Sequence, residues 1–422
     1  NYVDLSENFY KSGIWGFKNE SGKILSTTWR MPGFAFFYYP IRLFLSQQNT
    51  LNLIIIIQIF LSASSCVLIY EISQKLFNKF YLSLISYLIF TMSLYTSGLN
   101  GVLFTESLAG SAMIFALYFT LKNKTFLSST LWIIVIFLRP FMIVIWFIFI
   151  IYHFSENRKM NILKFCFSYI FPVALSLFIW STRNYIVHEK IIILNTVYEW
   201  VDEYKSLSKR EELNSILGFP TIWWENNEHT WFMPNKELKK QKIERAKDNI
   251  FDPKMFNSHL TLDSLKKARD FHIKIYDEEI SDSLIKIYDN RSAEIFEKFI
   301  KTYKTNFWFE SHILNRIKKT YRFLNQPIGA PTMSVKYPFN LIFRSLDAFI
   351  NYIVILMGII GCFLIYNFNL RENLSKYLFC FIPFFIIMFF PIILTSDESR
   401  HLYFGYLILP IFAAYLIEKI LS

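Results

Sequence analysis

The chain has 422 residues, 53% of them hydrophobic and 19% aromatic, with 46 phenylalanines and a formal net charge of +11 at pH 7. That much apolar side chain excludes an ordinary soluble domain and places the chain among membrane proteins. The positive charge does not point to nucleic acid. Residues 185–345 carry 26 Lys and Arg against 22 Asp and Glu, an ordinary mixed surface, and the remaining 18 against 11 fall mostly in short loops between apolar runs. Such a pattern orients a chain in a bilayer.

The first 50 residues read as an outer loop. They open on Asn with a polar stretch that has no signal-peptide pattern, so a transmembrane helix is expected ahead of Asn1. Asp4 and Glu7 stand in this polar start, and Arg30-Met-Pro-Gly-Phe34 leads into an aromatic run. The apolar stretch 34–46 is short and ends on Arg42, which predicts a helix lying at the membrane interface.

Apolar runs at 51–71, 79–97, 103–121, 161–182, 346–367, 376–394 and 401–418 are long enough, or nearly so, to cross a hydrocarbon core. Crossing takes about 20 helical residues for about 30 Å. Residues 125–153 are broken at Arg139-Pro140, where a proline removes a helix hydrogen bond and an arginine at mid-membrane is expensive. A hairpin of two short helices also puts Lys75, Lys79, Lys122, Lys124, Arg158, Lys159, Lys164, Arg371, Lys376 and Lys419 on one side. The positive-inside rule makes that side cytoplasmic and gives nine spans, ten with the helix expected before Asn1.

The predicted organisation is an outer loop with an interfacial helix (1–50), a transmembrane core (51–184), an extracytoplasmic insert (185–345) and C-terminal spans (346–422). The insert reads as helical. Phe296, Phe299, Ile300, Tyr303 and Phe307 form one stripe, and Tyr276, Ile280, Leu284 and Ile287 another. Trp223, Trp224, Trp231 and Phe232 read either as interface anchors or as part of an acceptor groove.

This topology collects Asp4, Glu7, Arg30, Glu106, Arg139, Arg183, Asp397, Glu398 and Arg400 at the outer ends of spans or in outer loops. Guanidinium forks suit phosphate, and the phosphate of an outer-leaflet lipid sits at this depth. A carboxylate beside it can take the proton of an acceptor hydroxyl while a sugar leaves that phosphate, a single inverting displacement. There is no Gly-x-Ser-x-Gly, His-Glu-x-x-His or phosphate-binding glycine loop. The seven histidines are solitary, and the four cysteines lie in apolar runs without metal-ligand spacing. No cofactor signature appears; a divalent cation is left open.

Several of these segments resemble motifs of the GT-C glycosyltransferases, in particular the family 39-like protein mannosyltransferase and aminoarabinose transferase relatives. Arg30-Met-Pro-Gly-Phe34 resembles their Arg-Pro-Pro-Gly-Tyr, Thr105-Glu106-Ser107-Leu108 their Thr-Glu-x-Leu, and Leu138-Arg139-Pro140 their Arg-Pro between short helices. Pro172 through Trp180-Ser-Thr-Arg183-Asn184 is similar to their Pro…Trp-x-x-Arg-Asn. Glu398-Ser-Arg400-His401-Leu-Tyr403 with Pro410 is similar to their late Glu-x-Arg-Tyr…Pro. The matches fall in family order over nearly the whole chain.

The resemblance implies an all-α, polytopic bundle that moves a sugar from a polyprenyl-phosphate donor to a glycan, lipid or protein acceptor outside the membrane. It implies donor or substrate contacts from Arg30, Glu106, Arg139, Arg183, Glu398 and Arg400, and a base aspartate in the first outer loop. In those families the aspartate stands four residues before a tyrosine, whereas here Ser6 stands four before Tyr10. The base role therefore falls to Asp4 in a shifted register, with Glu7 in reserve. Composition rich in Phe, Ile, Asn and Lys suits an AT-rich bacterial genome and hence a bacterial inner membrane. Competing readings are a polymerase or ligase of lipid-linked glycans, a lipid-linked sugar flippase or transporter, and a membrane scaffold. Transport fits less well, because no internal repeat is evident and the charges sit at span ends.

Overall fold

The computed structural model describes residues 2–18, 22–28, 30–156, 161–194, 204–219, 227–257, 260–276, 280–325, 339–365, 374–393 and 401–421. In chain order these form α1 (Tyr2–Ser12), β1 (Gly16–Lys18), β2 (Ile24–Ser26), α2 (Ala35–Arg42), α3 (Gln47–Phe77), α4 (Phe80–Met92), α5 (Leu94–Gly98), α6 (Thr105–Leu121), α7 (Thr125–Leu138), α8 (Ile143–Glu156), α9 (Ile162–Phe165) and α10 (Phe171–His188). There follow α11 (Lys205–Ile216), α12 (Asn227–Phe232), α13 (Asn235–Gln241), α14 (Leu262–Lys274), α15 (Asp282–Asn306), α16 (Asn315–Asn325), α17 (Phe339–Ile365), α18 (Leu374–Met388), α19 (Leu402–Tyr406) and α20 (Leu409–Leu421). Among the described residues the two three-residue strands of one antiparallel hairpin, Gly16 opposite Ser26, are the only sheet. The fold is all-α.

Among the described residues five helices are long and apolar enough to cross a membrane: Gln47–Phe77, Ile162–His188, Ala348–Ile365, Leu374–Ile392 and Leu402–Leu421. Four further apolar helices (Phe80–Met92, Thr105–Leu121, Thr125–Leu138 and Pro140–Phe154) are shorter. The described residues of the nine apolar segments expected from sequence are largely helical and five segments reach spanning length, whereas the 79–97 run is divided at Ser93 into α4 and α5. Arg158, Lys159 and Arg371 lie outside the described residues.

Two compact units divide the chain: residues 1–196 with 325–386 and 399–422, and residues 197–324 with 387–398. In the first unit, α3 turns small polar side chains inward. Gln58, Ser62, Ser65 and Ser73 are buried while Ile56, Ile59, Phe60 and Val67 are exposed. This inversion of a soluble helix is what lipid contact favours, since small polar residues let helices approach and hydrogen-bond. Ser73 meets Ser86 of α4 at 3.1 Å, and Thr120 of α6 meets Ser128 of α7 at 2.7 Å. Gly358 and Gly361 let α17 and α20 come together, for a Cβ at Gly361 would stand 2.0 Å from the Phe412 carbonyl oxygen. Helix α6 is central, with 14 of its 17 residues buried.

The chain breaks where the sequence predicts, at Arg139-Pro140. Helix α7 stops at Leu138, Arg139 is extended (φ −144°, ψ 90°), and a 3₁₀ turn begins at Pro140. The residue before a proline is driven out of helical geometry, which explains the stop. Trp132 and Phe149, with ring centroids 6.3 Å apart, bring α7 and the following helix back alongside each other.

The second unit is helical around its own core of Leu213, Ile216, Trp231, Phe232, Phe251, Leu265, Ala268, Phe296, Phe299 and Ile300. It is shorter than the predicted 185–345 insert, because α10 continues to His188 and α17 already begins at Phe339. The Phe296–Ile300 stripe is core, as its periodicity implied. The Tyr276–Ile287 stripe is not: Tyr276, Leu284 and Ile287 are exposed. Helix α14 ends at Lys274 and α15 starts at Asp282, so Tyr276 and Ile280 lie outside both helices and only Leu284 and Ile287 share a helix. Trp231 and Phe232 are also corrected. Both are fully buried, neither anchors nor groove, and Trp231 donates to Asp248 at 3.0 Å. Trp223 and Trp224 lie outside the described residues.

Candidate functional site

The first unit brings distant segments together around Tyr2 in the first turn of α1. Arg30 donates through Nη1 to the Tyr2 hydroxyl and lies over its ring, with Cζ 4.3 Å from the centroid. Arg139, at the end of α7, pairs with Glu106 in the first turn of α6. Glu106 is fully buried and the Arg139 side chain is 8% exposed, so the pair is shielded from water. Burial pushes the Tyr2 phenol up, but the fields of Arg139 and Arg30 and the nearby Thr105 hydroxyl outweigh that and bring it below its ordinary value, with Glu106 opposing. Two guanidinium groups thus act on one phenol beside one buried carboxylate.

Gly33 makes this convergence possible. A Cβ there would stand 2.4 Å from the Phe137 carbonyl carbon and 2.5 Å from the Leu138 nitrogen. Only a bare backbone can approach so closely, and the Gly33 amide donates to the Phe137 carbonyl at 3.3 Å. The glycine of the Arg30 element therefore seats that loop on the last residues of α7, just before Arg139. On the other side of the break, Phe141 meets the rings of His401 at 6.3 Å and Phe404 at 5.5 Å. One turn along α6 from Glu106, a Cβ at Gly110 would stand 2.5 Å from the Tyr403 ring.

The remaining sequence candidates fare differently. Asp4 is exposed on α1, two positions after Tyr2. Glu7 is held between helices: it accepts from Arg42 Nε at 3.0 Å, from Arg42 Nη2 at 3.3 Å and from the Tyr38 hydroxyl, and pairs with Lys11 at 3.0 Å. Burial resists its ionisation, but the hydrogen bonds from Arg42, Tyr38 and Lys11 prevail and bring its pKa down to about 2. Glu7 clamps α1 to α2. Arg183 grips the first loop, donating to the Thr27 carbonyl at 3.0 Å, the Trp15 carbonyl at 3.2 Å and Asn184 Oδ1 at 3.0 Å, and it lies over Trp180. Asp397, Glu398 and Arg400 lie outside the described residues. Among the described residues no three His, Cys, Asp or Glu side chains gather to hold a metal.

Sequence reasoning missed Tyr2, Gly33 as a docking point, and Arg42 and Tyr38 as partners of Glu7. A lone tyrosine carries no pattern, whereas the Pro-Gly step after Arg30 was a signal from which a close backbone approach at Gly33 could have been read. Comparison of the chain with protein-family models, curated proteins and solved structures returns no match.

Proposed function

We propose that this protein is a multi-pass membrane glycosyltransferase of the GT-C type, in a bacterial inner membrane, with the Tyr2–Arg30–Glu106–Arg139 cluster at its donor site. The observation that carries the reading is that Arg30, Glu106 and Arg139, drawn from three motif-like segments, meet at one enclosed place. Guanidinium groups held at the rim of apolar helices suit the phosphate of a polyprenyl-phosphate sugar, whose tail the bilayer holds. The acceptor hydroxyl oxygen forms a bond to the anomeric carbon while the carbon–oxygen bond to phosphate breaks. Polyprenyl phosphate leaves, and the hydroxyl proton passes to a carboxylate. Asp4 suits that last role better than Glu7. Glu7 already accepts from three side chains, and a carboxyl with a pKa of about 2 is a poor proton acceptor near neutrality.

The test is transfer from a panel of radiolabelled polyprenyl-phosphate sugars by the purified protein in liposomes. Asp4→Asn is expected to abolish turnover with donor binding retained, a loss in the chemical step on the order of a hundred- to ten-thousand-fold. Arg139→Lys, which keeps the charge and loses the fork, is expected to bind donor more weakly than the parent. Intact donor moving across the liposome with no sugar released would replace transfer with flipping. Full turnover in Asp4→Asn would take the base role from Asp4, and full turnover in Glu7→Gln as well would leave the first loop without a base.

A further inference from the structure

Helix α16 in the second unit is built with two faces. Its inner face is fixed: Asn315 donates to the Ile216 carbonyl at 2.8 Å, and Phe323 is fully buried. Its outer face is apolar and open. Ile317 and Tyr321, with Trp308 and Phe309 ahead of the π-helical segment Glu310–Leu314 that leads into α16, are each 57–68% exposed. Four large apolar side chains left exposed between residues 308 and 321 favour an apolar surrounding.

Three observations identify what covers that face. Phe323 stacks on Phe390 at 6.2 Å and 14°. Phe390 belongs to Leu374–Ile392, 19 residues of mean hydropathy 1.9, long enough to cross a membrane. Helix α16 therefore touches the end of an apolar spanning helix. That same end of α16 is tied to α17 by only 13 residues, 326–338, a reach of no more than about 45–50 Å. Finally, residues 308–325 carry four Lys and Arg against the single carboxylate of Glu310. Lys318 is exposed and Arg316 half-buried beside Ile317. Aromatic and aliphatic side chains with cations at their edge fit the boundary between acyl chains and anionic headgroups.

We propose that the Trp308–Tyr321 face lies in the headgroup zone of the bilayer, with Ile317 and Tyr321 among the upper acyl chains and Lys318 against anionic lipid phosphate. The depth is about 5–10 Å below the headgroup boundary. This docking depends on the apolar helices being in a membrane and not on the transfer chemistry, so either can fail alone.

The experiment places single cysteines at Ile317, Tyr321 and, as a water-facing control, the exposed Glu297, each carrying an environment-sensitive fluorophore. The full chain is held in nanodiscs of phosphatidylglycerol and phosphatidylcholine. The parent, labelled in parallel, supplies the background of Cys66, Cys166, Cys362 and Cys380. Expected are blue-shifted emission at 317 and 321, and quenching by nitroxide-bearing lipid several-fold stronger than at 297. Lys318→Glu is expected to lower the lipid quenching at 317. Aqueous iodide quenching 317 and 321 as readily as 297 would overturn the proposal. So would a blue shift without lipid quenching that grows with the number of chains per disc, because a second copy would then cover the face.

Discussion

The pairing of Arg139 with Glu106 can be tested by removing its partners singly and together. Glu106 is fully buried and the Arg139 side chain 8% exposed, so neither charge is well hydrated once the other is gone. Breaking such a pair from one side leaves an uncompensated charge and costs about 3–5 kcal/mol, whereas replacing both partners with apolar groups of similar volume is often neutral. Glu106→Leu and Arg139→Met are therefore each expected to lose about 3–5 kcal/mol, and the double variant far less than their sum. The coupling between them is then several kcal/mol and favourable. The assay is denaturation of the detergent-solubilised protein in mixed micelles, followed by tryptophan fluorescence, for parent, both singles and the double. Donor binding is measured on the same four proteins. The double variant is expected to regain stability without regaining donor binding, which separates holding the helices together from holding a phosphate. Additive losses in the cycle would refute the shielded pair, and tight donor binding by the double would refute its place in the site.

Two further outcomes follow from the packing. Gly33→Ala is expected to destabilise by about 1–3 kcal/mol, since its methyl would overlap the backbone of Phe137 and Leu138, whereas Gly101→Ala, with nothing within 4 Å of the new carbon, is expected to be neutral. Equal stability of the two in the same unfolding assay would remove the close approach. In the second unit, burial and the Arg210 guanidinium hold His272 neutral, well below its usual range, between Ser206 Oγ at 3.0 Å and Arg210 Nη1 at 3.2 Å. The unfolded chain takes up a proton below about pH 6.5 that the folded one refuses, so stability falls as pH drops from there, by up to about 1.4 kcal/mol per pH unit. Denaturant titrations read at a fluorophore in this unit are expected to show that slope shrink in His272→Gln, and an unchanged slope would count against it.

Much of the fold was legible because it rests on local rules. Apolar run length located the helices, and Arg139-Pro140 marked a break for reasons that need no knowledge of neighbours: a missing amide and a restricted residue before it. What was illegible needed partners. An aromatic pair in a charged insert reads the same whether it faces lipid, an acceptor or a core. Only the fold shows Trp231 and Phe232 enclosed by Phe251 and Phe296. The Tyr276–Ile287 spacing was also helical in period, but α14 ends before Tyr276 and α15 starts after Ile280, and periodicity alone does not see where a helix begins.

The site divides along the same line. Arg30, Glu106 and Arg139 were found because each is an ionisable residue at the end of an apolar run, where it needs a reason to be. Their expected depth in a membrane was enough to group them, although more than 100 residues separate Arg30 from Arg139. Direction was not available from depth. Glu7 stood as close to the site in sequence as Asp4, yet its carboxylate is turned into a clamp by Arg42 and Tyr38, whose positions depend on how α2 folds back on α1. Arg183, equally well placed by depth, points at the carbonyls of Trp15 and Thr27. Its consequence for the proposed reaction is indirect but physical: the loop it grips carries Arg30, whose carbonyl accepts from the Trp15 indole at 2.7 Å. A guanidinium more than one turn inside the end of α10 thereby fixes the segment that presents another guanidinium to Tyr2, so that the two arginines act in series, one on the loop and one in the site.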